Sequence, residues 1–358
     1  MSNMALVSFT STLLHWYDEH RRIMPWRGEK DPYKIWISEI ILQQTRVAQG
    51  WDYYTRFIER FPTIQRLADA SLDEVLLVWQ GLGYYSRARH LHEAALYIMQ
   101  HYGGVFPASY VDIRSLKGVG DYTAAAIASM GFGLPYPAVD GNVCRVICRV
   151  FGIADDIQQN STRKIITQHC TKLMQGFEPG EFNQALMDFG SLQCTPKNPN
   201  CENCPLATRC HACQYQMTNH LPVKSNHIKI KTREFHYLCQ VNNGQTIIRQ
   251  RVDNDIWKGL YEFPMIECEY HRVREKTRDI LPSEFPDKTI WQTKHQLTHQ
   301  TILAFFYLVK TDKMPDLQPH EILVDLSKLT SYPFPKIMTD FIETVLKNVK
   351  SQSKAKAK

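Results

Sequence analysis

The sequence predicts a mainly α domain joined to a smaller α+β domain, and three observations carry that fold class. From residue 5 to about 213, apolar positions recur three and four apart, Gly and Pro fall between segments, and few windows alternate strictly. Residues 214–233 then hold Pro222 and the cations Lys224, Lys229, Lys231 and Arg233 with no acid, which reads as a linker. Beyond it, two β-prone runs, 234–241 and 245–251, flank Asn242-Asn243-Gly244, and an Asn-Gly step there signals a hairpin.

Length and composition agree with two domains. At 358 residues the chain exceeds the ~150 of one ordinary domain. With 44% hydrophobic and 22% charged residues it is globular in composition, which excludes a disordered, collagen-like or disulfide-dense secreted chain. Helices are expected over 7–20, 32–49, 49–60, 72–80, 87–101, 123–130 and 142–151. Strands follow at 234–241, 245–251 and 300–310, and a closing helix at 335–349 runs into a basic tail, 347–358. The expected domains are therefore 1–213 and 234–346, joined by the 214–233 linker.

The apolar run 302–309 is far shorter than the ~20 residues that cross a bilayer. Residues 1–14 carry no basic residue and mix polar with apolar positions, so no secretory signal is expected and the thiols are expected to be reduced. The net charge of +6 permits an anionic partner, but residues 1–213 hold 20 basic and 20 acidic residues and are neutral. The excess lies in the linker and the tail, so any nucleic-acid argument for the first domain must be local.

Cys194, Cys201, Cys204 and Cys210 are spaced C-x6-C-x2-C-x5-C, with Pro196, Pro199 and Pro205 stiffening the loop. Four thiolates in so short a segment do not lie on a core face and suit a soft metal centre, zinc or an iron-sulfur cluster. Cys213 adds a C-x2-C-x5-C-x2-C pattern that keeps zinc open, although its pairs lie closer than in usual zinc ribbons.

Residues 116–126 set Gly118 and Gly120 between two helices, the second opening with small residues. Free N–H groups at such a helix start would cradle a phosphate; an ordinary αα turn is the plain alternative. Twenty residues after Gly120, Asp140 precedes Gly141 and Asn142 at a helix start, the place of an N-cap or of a catalytic carboxylate. Glu39 lies in a helix apolar nearly all round, where burial raises the carboxyl pKa as a general acid requires; a structural ion pair with Arg27 or Arg46 is the alternative. Residues 81–89, with Tyr84, Tyr85 and two arginines, form a Gly-rich turn that is either plain surface or a DNA contact.

The cysteine spacing, the glycine hairpin and the downstream Asp resemble the endonuclease III superfamily of helix-hairpin-helix DNA glycosylases. Residues 38–45, Ser-Glu-Ile-Ile-Leu-Gln-Gln-Thr, after Pro25-Trp26-Arg27, are similar to its adenine glycosylases, the MutY type. The resemblance implies a helix-hairpin-helix at about 114–130, in which Gly118 and Gly120 meet DNA, and one 4Fe-4S cluster on Cys194, Cys201, Cys204 and Cys210, leaving Cys213 free. It further implies that Asp140, supported by Tyr122 and Asn142, stabilises positive charge on the deoxyribose while Glu39 protonates adenine. Gln44 and Tyr84 would wedge into the DNA stack, and Trp26 and Arg27 would line the adenine pocket. Bifunctional relatives carry a Lys nucleophile where this chain has Tyr122, so a monofunctional enzyme that uses water is implied.

Residues 255–264, Asp-Ile-Trp-Lys-Gly-Leu-Tyr-Glu-Phe-Pro, are similar to the core of Nudix-like domains. Residues 265–280 lack the Arg-Glu and Glu-Glu array of a Nudix hydrolase, so a binding domain is expected. Leu297, Thr298 and His299 correspond to the loop by which adenine glycosylases recognise 8-oxoguanine, where Phe-Ser-His is more usual. Thr keeps the hydroxyl of Ser and Leu keeps an apolar wedge; apart from the resemblance, Thr298 and His299 would simply open a strand.

The implied partner is double-stranded DNA with adenine mispaired with 8-oxoguanine or guanine, bound by a monomer in the cytoplasm with the nucleoid. Two rivals remain at this point: a glycosylase for oxidised pyrimidines, and a catalytically silent cluster-containing DNA-binding module.

Overall fold

The computed structural model describes residues 3–225, 230–272 and 291–346. The basic tail 347–358, Lys229 of the linker and residues 273–280 of the Nudix-like stretch lie outside the described residues. The helices are α1 Asn3–His20, α2 Pro32–Leu42, α3 Val47–Arg60, α4 Ile64–Asp69, α5 Leu72–Val78, α6 Ser86–Tyr102, α7 Tyr110–Ser115, α8 Asp121–Phe132, α9 Gly141–Phe151, α10 Asn160–Met174, α11 Pro179–Leu192, α12 His211–Gln214 and α13 Lys336–Phe341. The strands are β1 Lys231–Asn242, β2 Gln245–Gln250, β3 Tyr261–Glu262, β4 Met265–Glu267, β5 Trp291–Gln296, β6 Gln300–Lys310 and β7 Glu321–Asp325. No described helix is long and apolar enough to cross a membrane.

The chain forms two compact units: 1–69 with 90–226, and 70–89 with 227–358. The expected span 1–213 is thus interrupted, because α5 and the loop after it pack with the β-rich unit. Tyr261 Oη donates to Asp73 at 3.1 Å, Phe334 N donates to Gln80 Oε1 at 2.8 Å, and Arg89 Nη1 donates to the Lys258 carbonyl at 2.6 Å. A Cβ on Gly259 would lie 3.3 Å from Leu76, so the backbone there packs closely on α5.

The first unit is helical throughout. α9 lies at its centre, with Val143, Val146, Ile147 and Val150 in a core that also holds Phe9, Leu13 and Trp16 of α1 and Phe182, Leu186 and Phe189 of α11. Two helices were expected, meeting at Gln49; the break instead falls at residues 43–46. α2 stops at Leu42, Gln44 turns left-handed at φ 59°, and Arg46 is extended at the start of α3. The break coincides with the polar run Gln43-Gln44-Thr45-Arg46, and no Gly or Pro marks it.

The second unit is a mixed sheet in the order β3-β2-β1-β6-β5, with β4 paired to β1 and β7 to β2. β1 runs parallel to β6 from Lys231 opposite Gln300 to Val241 opposite Lys310, and turns through Asn243 and Gly244, both left-handed, into antiparallel β2. The expected hairpin and the 300–310 strand are therefore present. The closing helix begins at Lys336, and its last turn widens to π geometry over Ile342–Leu346. Arg251 and Arg249 grip the fully buried Glu262 at 2.7 and 2.9 Å, and Arg233 pairs with Asp255 and Glu267 at 2.8 and 2.7 Å. These carboxylates are held by arginine, the arrangement of a structural core rather than of a metal-binding hydrolase site.

Candidate active site

In the first unit three helices deliver Glu39, Tyr122 and Asp140 to one place. Glu39 comes from the middle of α2 and is only 8% exposed. Its carboxyl shares a hydrogen bond with Tyr122, the second residue of α8, and feels the charge of Asp140. Burial is the largest influence and pushes the Glu39 pKa up to about 7; the Tyr122 bond and nearby Arg27 oppose the rise. Tyr122 is itself pushed well above its ordinary value, by burial and by the two carboxylates, and so remains a neutral phenol. Its hydroxyl also reaches Met187 Sδ at 3.2 Å.

Asp140 caps α9. Its Oδ1 accepts from Val143 N at 2.7 Å, and its Oδ2 accepts from Asn142 Nδ2 at 2.7 Å. Burial raises its pKa above the ordinary carboxyl value on balance, although these donors and the Arg145 charge oppose the rise. The N-cap role does not preclude a catalytic one: one oxygen is tied to the backbone, and both are oriented. α11 can approach this helix start because Gly190 has no side chain; a Cβ there would lie 2.7 Å from Asn142 Cβ.

Arg27 does not form the ion pair with Glu39 that the sequence left open. Its guanidinium donates to Gln184 and Asp188, each at 2.8 Å, while its Nε is buried without a partner. Trp26 packs edge-on to Tyr54 at 5.4 Å and near Trp51 at 6.3 Å, both on α3.

Gly118 and Gly120 have different reasons to be glycine. Gly118 is left-handed at φ 79°, and a Cβ would lie 2.8 Å from His90 Cβ. Gly120 caps α8 with no side-chain hydrogen bond and has open space where a Cβ would be. Its position therefore leaves the α8 N-terminus open to an anion. Gln43, which donates to Thr123 Oγ1 at 3.1 Å, and Arg163 line the groove beside it. Arg163 was missed by sequence reasoning; a lone Arg on a polar helix carries no signal.

The cysteines follow α11. Cys194, Cys201, Cys204 and Cys210 line one cavity, together with Cys213 and Arg149. Donors point at the sulfurs: Arg149 Nη1 at Cys194 Sγ, 3.3 Å, the Leu206 N–H at Cys204, and the Ala212 and Cys213 N–H groups at Cys210. Such donors stabilise thiolates, so the residues fit an iron-sulfur group. Among the described residues no three ligands converge as a single metal ion needs. Sulfurs ringing a cavity suit a multi-atom cluster better than one zinc ion.

Two buried arginines of α9 tie this helix to the cysteine loop. Arg145 bonds Asn142 Oδ1 at 2.8 Å and the Cys194 carbonyl at 2.7 Å, linking the support of Asp140 to the cysteine loop. Arg149, 1% exposed, bonds the carbonyls of Thr195, Pro196 and Leu221 at 2.7, 3.2 and 2.9 Å. Their spacing of five and nine residues from Asp140 on one helix was the available signal.

In the second unit, Leu297, Thr298 and His299 form the tip of the β5–β6 hairpin, closed by Leu297 N on the Gln300 carbonyl at 2.8 Å. Tyr84 Oη and Thr298 Oγ1 are hydrogen-bonded. Both residues line a cavity of about 340 Å³ with Asp255, Trp257, Leu297 and His299. Gln44 and Tyr84, singled out separately in the sequence, are both exposed and both left-handed, at φ 59° and 46°. For non-glycine residues that backbone is costly and marks functional turns.

A helix-hairpin-helix with an open helix start, two buried carboxylates in different environments and a cysteine-lined cavity define a DNA N-glycosylase of the iron-sulfur class. Family comparisons agree: residues 37–175 match the HhH-GPD superfamily base excision DNA repair proteins, 194–210 the iron-sulfur binding domain of endonuclease III, and 236–344 a NUDIX domain. The helical part is similar to a thermostable thymine-DNA glycosylase, TM-score 0.55 at 31% identity over 60% of this chain and 98% of that one. It shares its fold with endonuclease III in a DNA complex, TM-score 0.53 at 22% identity over 61% and 99%. An adenine DNA glycosylase of Buchnera aphidicola is 37% identical over 309 residues, 84% of this chain and 85% of that protein. The human adenine DNA glycosylase is 42% identical over 218 residues, 58% of this chain and 40% of that protein. The chain belongs to the adenine DNA glycosylases, enzymes of base excision repair that bind DNA and carry a 4Fe-4S cluster.

Proposed function

We propose that the enzyme removes adenine mispaired with 8-oxoguanine or guanine, and that it is monofunctional. The observation that carries the chemistry is the divergence of its two carboxylates: Glu39 buried and shifted to about 7, Asp140 held by N–H donors. Glu39 in its acid form gives its proton to adenine N7 of a flipped nucleotide, and the C1′–N9 electrons leave with the base. Asp140 as carboxylate stabilises the oxocarbenium-like sugar. Water then adds to C1′ and its proton returns to Glu39. Tyr122 holds the Glu39 carboxyl, Asn142 orients Asp140, and Arg27, with an unbonded Nε, lines the adenine pocket with Trp26.

Cys194, Cys201, Cys204 and Cys210 are read as the cluster ligands. When bound, the cluster supplies a rigid centre that orders the loop joined to α9 through Arg145 and Arg149.

In the second unit the cavity between Tyr84 and Thr298 is read as the place where the base opposite adenine is tested, Thr298 offering a hydroxyl and Tyr84 a stacking face. The enzyme is read as a monomer that acts with the nucleoid in the cytoplasm. Base release from 8-oxoguanine:adenine, guanine:adenine and matched duplexes tests the substrate; equal rates on all three would refute it. Borohydride trapping tests the chemistry: Tyr122 offers no amine, so no robust covalent DNA adduct is expected. Thr298→Ala is expected to reduce discrimination between 8-oxoguanine and guanine, and unchanged discrimination would refute the assignment.

A further inference from the structure

Four cysteines suffice for the cluster, and the fifth, Cys213, is not absorbed by it. Yet Cys213 lines the same cavity as the other four. It sits in the short helix α12 that Cys210 begins, with its N–H on the Cys210 carbonyl at 3.1 Å. Burial raises the pKa of the Cys201 thiol, and the Cys213 thiol lies near enough to raise it further. The other three family-position sulfurs are addressed by nitrogen donors, from Arg149, Leu206, Ala212 and Cys213 itself. The foremost polar neighbour of Cys201 is a second thiol.

The spacing makes the two exchangeable. Cys201 and Cys204 form one C-x2-C pair, and Cys210 and Cys213 form another. Cys204 and Cys210 are the inner members, so either outer cysteine completes a set of four with Cys194.

We propose that Cys213 is a reserve cluster ligand that takes the place of Cys201 when the Cys201 sulfur is removed or blocked. The proposal rests on the reading of Cys194, Cys201, Cys204 and Cys210 as the ligand set. The exchange trades one thiolate for another of the same softness and charge. The Cys213 thiol gives its proton to water as it binds, so the cluster keeps four thiolate ligands and no oxidation state changes.

The test measures iron content and visible cluster absorption of the purified full chain. Cys201→Ser and Cys213→Ser are each expected to keep the cluster, and the double variant to lose it. Cys204→Ser is expected to lose it in any background, having no neighbour in reserve. A Cys201→Ser protein as poor in iron as the double variant would overturn the proposal. Iron retained by Cys204→Ser would instead overturn the ligand set beneath it. Because a cluster-free variant can fail to fold, iron release to a chelator is compared between wild type and Cys213→Ser, both of which retain the family ligands. Release after oxidative blocking of thiols should be severalfold faster in Cys213→Ser, and equal rates would count against a reserve role.

Discussion

At the scale of single residues the proposed reaction requires two nearby carboxylates in opposite protonation states. Glu39 is raised to about 7 because its helix buries it, and the acid form prevails below that pH. Base release is therefore expected to fall as pH rises through about 7, and to fall again at low pH when Asp140 takes a proton; a single-turnover pH profile checks both limbs. The same shift bears on stability. A folded pKa above the ordinary carboxyl value means that the contribution of Glu39 is fully present at low pH and is lost as pH rises through about 7. Glu39→Gln should abolish base release, by at least about 100-fold, while keeping DNA binding. Above pH 7 the variant should also be more stable than wild type, by up to about 3 kcal/mol in denaturant unfolding.

At the scale of elements, the proposed function rests on the N-terminal ends of α8 and α9. Gly118→Ala places a Cβ against His90 at a left-handed position and should cost about 1–3 kcal/mol, read as a lower melting temperature. Gly120→Ala meets open space, so stability should barely change while affinity for undamaged duplex drops. That contrast separates the fold requirement from the phosphate contact. Along α9, Arg149 satisfies three main-chain carbonyls and touches Cys194. Arg149→Met leaves those acceptors buried and unpaired, which should cost about 3 kcal/mol and lower the iron content of the purified protein.

At the scale of the whole molecule, the net charge of +6 says little about how DNA is held. Residues 1–213 are neutral, and the excess sits in the linker and the 347–358 tail, so the tail is expected to supply a sequence-independent, salt-sensitive attraction. Deleting residues 351–358 should weaken DNA affinity at low salt, lessen its salt dependence and leave adenine specificity unchanged, as measured by binding isotherms across a salt series. Within the β-rich unit, three arginines neutralise Asp255, Glu262 and Glu267, so nucleotide pyrophosphate hydrolysis is not expected from those carboxylates.

Much of the site was legible in the sequence because its signals are local. The Cys194–Cys210 spacing, the glycines of the hairpin, Asp140 before a helix and the apolar setting of Glu39 each concern a few neighbouring residues, and short-range geometry follows from such patterns. The helical first half and the Asn243-Gly244 hairpin were legible for the same reason. What packing alone decided is long-range. Glu39 meets Tyr122 because α2 packs on α8, Tyr84 meets Thr298 across 214 positions, and residues 70–89 join the β-rich unit through Asp73, Gln80 and Arg89. The break at Gln44 was missed because no Gly or Pro marks it, although the backbone turns left-handed there. By itself, then, the sequence determined the chemistry available: two carboxylates, five soft sulfurs and an open helix start. Only the tertiary structure decided which of these groups face each other, because pKa values, hydrogen-bond partners and cavities arise from burial among distant residues that no local spacing encodes.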